Sequence, residues 1–126
     1  MTIPCAPTSF TASSASQSSI SFSFTDNATN ESGFHLYRQG LATALQSYNP
    51  VAGTGVKVAA FNPVICGQNY TYSARAYNTV GESSSSNTND AKTSACTVTV
   101  TFTSILLRED TDTDNDAEVW LDIDVE

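Results

Sequence analysis

Cys66-Gly-Gln-Asn-Tyr-Thr-Tyr-Ser-Ala-Arg-Ala-Tyr-Asn-Thr-Val-Gly-Glu-Ser83 is the stretch that decides the fold. Gly67 marks a turn, and the residues after it alternate as a strand does, with Tyr70, Tyr72, Ala74 and Ala76 on one face. A polar turn, Asn78 to Gly81, leads into a further extended run. A tyrosine at the mouth of such a strand is the pattern of a tyrosine corner. There the ring packs inward and the hydroxyl reaches back to upstream backbone, a device of Greek-key β-sandwiches.

Outward from that stretch, the first hundred residues give seven short extended runs. The first is Ser9 to Ser13, behind Pro4 and Pro7. In the second, Ser19 to Thr25, Ile20, Phe22 and Phe24 alternate with Ser21 and Ser23. A polar loop, Asp26 to Gly33, precedes Phe34 to Arg38; Leu45 to Tyr48 comes next and closes at Asn49-Pro50. Val56, Val58 and Ala60 carry the fifth run, which ends at Asn62-Pro63. Tyr70 to Tyr77 and Ser83 to Thr93 are the sixth and seventh. Strands of this length between turns predict an all-β protein, with no helical apolar stripe to compete. The expected core is Phe10, Ile20, Phe22, Phe24, Phe34, Leu36, Val58, Val64, Tyr70, Tyr72, Ala74 and Ala76.

Over about residues 6–95 the chain resembles the fibronectin type III module. Pro7 matches the leading proline and Phe10 the first strand's core position. Asp26 to Phe34 is similar to the loop between the second and third strands in bacterial members. Val64, Gly67 and Tyr70 match the corner, and Asn78, Gly81 and Ser83 the turn after it. Phe24 stands where the family usually keeps a Trp, and Cys66 where it usually keeps a Pro. The resemblance implies a seven-stranded Greek-key immunoglobulin-like β-sandwich. In that topology Cys66 and Cys96 lie at one pole, and a bridge between them stabilises by about 2–4 kcal/mol. Cys5 falls at the opposite pole. Its context, Thr2-Ile-Pro-Cys5, echoes Thr93-Ser-Ala-Cys96, so Cys5 reads as the closing cysteine of a preceding copy. The alternative is three reduced, small buried cysteines.

Residues 1–5 then form a linker from a preceding module, and 96–126 an acidic β-hairpin opening a truncated second β domain. Within it Thr97 to Phe102 alternates, and Val119, Leu121, Ile123 and Val125 alternate with Trp120, Asp122 and Asp124. Of the 13 acids and 5 bases in the chain, residues 1–107 hold four of each; residues 108–126 hold nine acids and Arg108. A neutral body with an acidic end lacks the basic footprint that nucleic acid and anionic membranes require. No apolar run is long enough to span a bilayer as a helix.

Chemistry-bearing candidates are few. His35 is the single histidine, turned outward between Phe34 and Leu36, with no nucleophile elbow and nothing in its surroundings to set its tautomer. The run Asp110 to Glu118 offers alternating carboxylates for calcium, yet it lacks the EF-hand glycine and terminal Glu, and a solvated hairpin turn that keeps an exposed edge soluble is the favoured account. Tyr37, Tyr48, Tyr77 and Trp120 are candidates for a carbohydrate platform. Asn27-Ala-Thr29, Asn30-Glu-Ser32 and Asn69-Tyr-Thr71 fit the glycosylation acceptor pattern. The expectation is a non-catalytic, monomeric spacer or interaction module, without cofactor or metal, from a secreted or cell-surface multidomain protein. Its partners are neighbouring domains and protein or polysaccharide ligands. The alternative is a carbohydrate- or calcium-binding module using the surface aromatics or the acidic 109–118 loop.

Overall fold

The computed structural model describes residues 1–49, 53–101 and 103. Seven strands run in chain order: β1 (Thr8–Ser14), β2 (Ile20–Asp26), β3 (Gly33–Arg38), β4 (Gln46–Tyr48), β5 (Gly55–Phe61), β6 (Asn69–Tyr77) and β7 (Asn89–Lys92). They form two sheets, β1-β2-β5 and β4-β3-β6-β7, in which every pair is antiparallel. The chain changes sheet between β2 and β3 and again between β4 and β5 and between β5 and β6, which gives the Greek-key sandwich.

Strand β2 shows why these residues take this form. Ile20, Phe22 and Phe24 point inward and are buried, while the hydroxyls of Ser21 and Ser23 face out. From the other sheet, Phe34, Leu36, Tyr72, Ala74 and Ala76 meet them. Small Ala side chains on β6 leave room for the phenyl rings of β2, so the layers interlock. Phe24 fills the place of the usual Trp by reaching across the sandwich to Phe34, ring centres 4.7 Å apart.

One expected strand face is reversed. Hydrophobicity alone assigns Val58 to the core, yet Val56 and Val58 are 73 % and 74 % exposed. The register with β2 sets Lys57 opposite the inward Phe24, so Lys57, Ala59 and Phe61 share the inner face. A lysine is tolerated there because Asp26, also turned inward and fully buried, lies 3.8 Å from its Nζ. The Asp26 carboxylate also accepts the Ala28 backbone N–H at 2.9 Å. Local hydropathy favours the two valines; the buried counter-charge overrides it.

Tyr70 keeps the expected inward parity but is only half-buried at the rim, with the Arg38 guanidinium 4.3 Å from its ring centre. Its hydroxyl makes no hydrogen bond to a described residue, so the corner's hydroxyl tether is not formed here. Tyr72, one pair further along, is the tyrosine that is fully buried.

The seventh run is ordered largely by side chains. Before β7, Ser83 and Ser86 pair with the backbone of Ala76 and Ala74, and their hydroxyls accept the same two residues' N–H groups at 3.0 and 2.9 Å. The Asn87 amide accepts from Phe10 N and donates to Phe10 O, both at 2.8 Å, and Asn89 accepts from Ala12 N at 2.9 Å. These amides substitute for a missing backbone ladder and close the gap between β1 of one sheet and β7 of the other. Thr97 to Thr101, whose alternation predicts a strand, makes no ladder with the described residues. The rest of the expected hairpin, the acidic 109–118 run and Trp120 lie outside the described residues.

Candidate functional site

Polar chemistry gathers on the outer face of the four-stranded sheet. The β3–β6 register sets His35 opposite Arg75, Gly33 opposite Tyr77 and Tyr37 opposite Ser73, all with the parity that turns outward. Gly33 makes one contact possible: a β-carbon there would lie 2.8 Å from the Tyr77 hydroxyl. Without it, the Tyr77 ring folds down over β3 and stacks on His35, centres 4.0 Å apart and planes 15° from parallel.

The turn after β6 supplies the centre of the cluster. Asn78 is buried and binds Val80 N at 2.9 Å through its side-chain oxygen, while its amide donates to the carbonyls of Thr2 and Asn30. A turn held this firmly delivers Glu82 back onto the sheet, where it bridges to Tyr77. There the carboxylate takes three partners: His35 Nδ1, the Tyr37 hydroxyl at 2.6 Å and the Arg75 guanidinium at 3.3 Å. Arg75 also lies over the Tyr37 ring, 4.7 Å from its centre.

Burial works to raise the Glu82 carboxyl, but the hydrogen bonds from Tyr37, His35 and Arg75 outweigh it and hold the group below the ordinary carboxylate range. The Tyr37 hydroxyl is raised by burial and by its bond to that same anion. The outcome is a neutralised, aromatic-walled polar surface spanning two strands and a turn.

The sequence-derived candidates distribute unevenly over this surface. His35, Tyr37 and Tyr77 come together on it. His35 is not the unsupported surface group that its neighbours in sequence suggest: Glu82, 47 positions away, meets its Nδ1. Tyr48 turns inward instead. Its ring meets Phe22 edge-on at 5.3 Å and its hydroxyl donates to Ala60 O at 2.9 Å; burial pushes that hydroxyl up to about 12. Glu82 and Arg75 escape sequence reading, although their alternation with the inward Ala76 and Ser83 gives their parity. No group of three or more His, Cys, Asp or Glu suited to a metal ion occurs among the described residues.

At the opposite pole, a disulfide joins Cys66, in the turn before β6, to Cys96 beyond β7, with Cα atoms 5.1 Å apart. Gly67 N bonds Ser94 O at 2.9 Å alongside it. Cys5 is exposed and unbridged in this chain.

No family model and no curated protein matches this chain. Solved structures do. The crystal structure of FN3tt aligns at a TM-score of 0.59 with 17% identity, covering 75% of this chain and 98% of that one. A Fn3-like protein from Clostridium thermocellum aligns at 0.55 with 17% identity, over 77% and 100%. The fibronectin type III domain of a human fibronectin type III domain containing protein aligns at 0.55 with 16% identity, over 76% and 91%. Strand order, the interlocked core and these alignments agree: the chain has the fibronectin type III fold.

Proposed function

We propose that this chain is a non-catalytic spacer and interaction module of a secreted or cell-surface multidomain protein, its neighbours being further domains of the same polypeptide. The observation that carries this reading is the fixing of both ends of the sandwich at opposite poles. The leading segment is strapped to the pole formed by the β2–β3 loop and the turn after β6: Thr2 O accepts from Asn30 and Asn78, and Ala6 O from Asn27. Because β5 runs antiparallel to β2, with Phe61 opposite Ile20, the turn leading to β6 and its disulfide sit at the far pole. The segments entering and leaving the sandwich are therefore held a fixed distance apart. The bridge supports an oxidising compartment.

Single-molecule stretching of concatenated copies tests the role. A spacer unfolds in one cooperative step per copy. The bridge spans a sequence separation of 30, so reducing it should lengthen each step by up to about 100 Å, at about 3.3–3.6 Å per extended residue. Gradual extension without discrete steps, or steps of equal length with and without reductant, would refute the mechanical reading. Peptide mapping of non-reduced protein from its source decides the compartment: a free Cys66 thiol removes the support for secretion.

A further inference from the structure

Beside the Glu82 cluster the same outer face carries a depression of about 230 Å³, walled by Tyr37, Gln39, Leu41, Thr71, Arg75 and Thr88. We infer that this groove binds one uncharged pyranose unit of a polysaccharide, a function beyond that of spacer. Ser73 creates it. The strand registers place Ser73 between Tyr37 of β3 and Thr88, the residue just ahead of β7, with Thr71 and Arg75 on either side along β6. A small side chain ringed by four larger ones leaves a hollow, and Leu41 from the turn after β3 adds an apolar wall.

The lining matches a sugar ring more closely than any charged group. Gln39, Ser73 and Thr88 have no side-chain hydrogen bond to a described residue, so an amide and two hydroxyls converge uncommitted on the hollow. Each of these groups both donates and accepts, as sugar hydroxyls do. Leu41 offers apolar surface for the ring's C–H face, and Tyr37, with Arg75 over one face of its ring and its hydroxyl on Glu82, forms a fixed side wall. Charge argues against ions of either sign. Of the two arginines that line the hollow, Arg75 is tied to Glu82 at 3.3 Å and Arg38 lies over the Tyr70 ring, so neither charge is free to hold an anion. No carboxylate is among the lining residues to hold a cation. The volume falls below the several hundred Å³ typical of sites for larger ligands, so one ring is the unit recognised.

The test is a titration of the intact, isotope-labelled chain, monitored by amide chemical shifts. The probes are uncharged tri- and tetrasaccharides of glucose, mannose, galactose, xylose and N-acetylglucosamine, with uronic acid oligomers as the charged arm. A single ring gives a Kd on the order of 1 mM, so titration runs to about 10 mM. The expected result is saturable movement of the amides of Tyr37, Gln39, Thr71, Ser73 and Thr88 with at least one uncharged oligomer. Ser73→Phe fills the hollow from the solvent side without touching the core; it should abolish that movement while leaving the melting temperature in place. The inference is overturned by no saturable movement with any uncharged oligomer, by a response confined to uronic acids, or by undiminished binding to Ser73→Phe. None of those outcomes bears on the stretching experiment, so the two readings fail separately.

Discussion

The two sheets handle their charged residues in opposite ways. Under the three-stranded sheet, Asp26 and Lys57 are turned into the sandwich and meet there, while the outer face is dressed with Ser21, Ser23, Val56 and Val58. On the four-stranded sheet the inner face is filled by Phe34, Leu36, Tyr48, Tyr72, Ala74 and Ala76, and the polar groups His35, Arg75 and Glu82 stand outside around Tyr37. An ion pair removed from water is costly to break, because the surviving charge has no solvent to turn to. A pair on the surface costs little to lose, but it responds to pH and ligands. One sheet therefore uses charge for integrity, and the other keeps its charge where a partner can reach it.

Substitutions that split the two behaviours make this comparison testable. The largest effect belongs to Asp26→Ala, which removes a fully buried carboxylate from beside Lys57 and from the Ala28 N–H. A loss of about 3 kcal/mol in urea-unfolding stability is expected, and a loss below about 1 kcal/mol would show that the interior pair is dispensable. Next comes Asn87→Ala, which removes both bonds to the Phe10 backbone and opens the seam between the sheets. It should cost about 1–3 kcal/mol, with faster amide exchange at Phe10 as the local readout.

Glu82→Gln is milder and changes the pH response. The folded pKa of Glu82 lies below its ordinary value, so its ionised form contributes stability above the ordinary carboxylate range. That contribution fades as pH falls through the lowered folded value. The wild type should therefore lose more stability than Glu82→Gln on going from neutral pH into the acid range, and parallel pH profiles would remove the network from the account. The smallest effects are expected for Tyr70→Phe and Val58→Thr, each within about 0.5 kcal/mol, since one loses a hydroxyl with no partner among the described residues and the other changes an exposed site. Either one costing about 2 kcal/mol would reinstate the corner bond or the inward β5 face.

Much of the fold is legible in residues that signal through local alternation. β2 and β6 carry their inward faces openly, and the Asn78–Gly81 turn announces itself by composition. β5 does not, because its more hydrophobic parity is the exposed one. Nothing within its seven residues reveals that Lys57 has a buried carboxylate to answer it. The cluster is legible by half: His35, Tyr37 and Tyr77 are visible as outward aromatics, whereas their organiser, Glu82, reaches them only through a turn and a sheet register. Ser73 looks like any surface serine until its four neighbours are known.

Alternation and turn chemistry determined by themselves that this chain is all-β, which rings fill most of its core, and which strand ends carry Cys66 and Cys96, because those signals act between residues adjacent in sequence; the family resemblance added the sandwich. The tertiary structure alone decided which face of β5 is buried, that Tyr70 stays at the rim, and that an ion pair lies inside one sheet and a carboxylate-centred cluster outside the other. Those outcomes depend on charges and hydroxyls brought together across tens of residues, and such pairings have an energy only once the strands are in register.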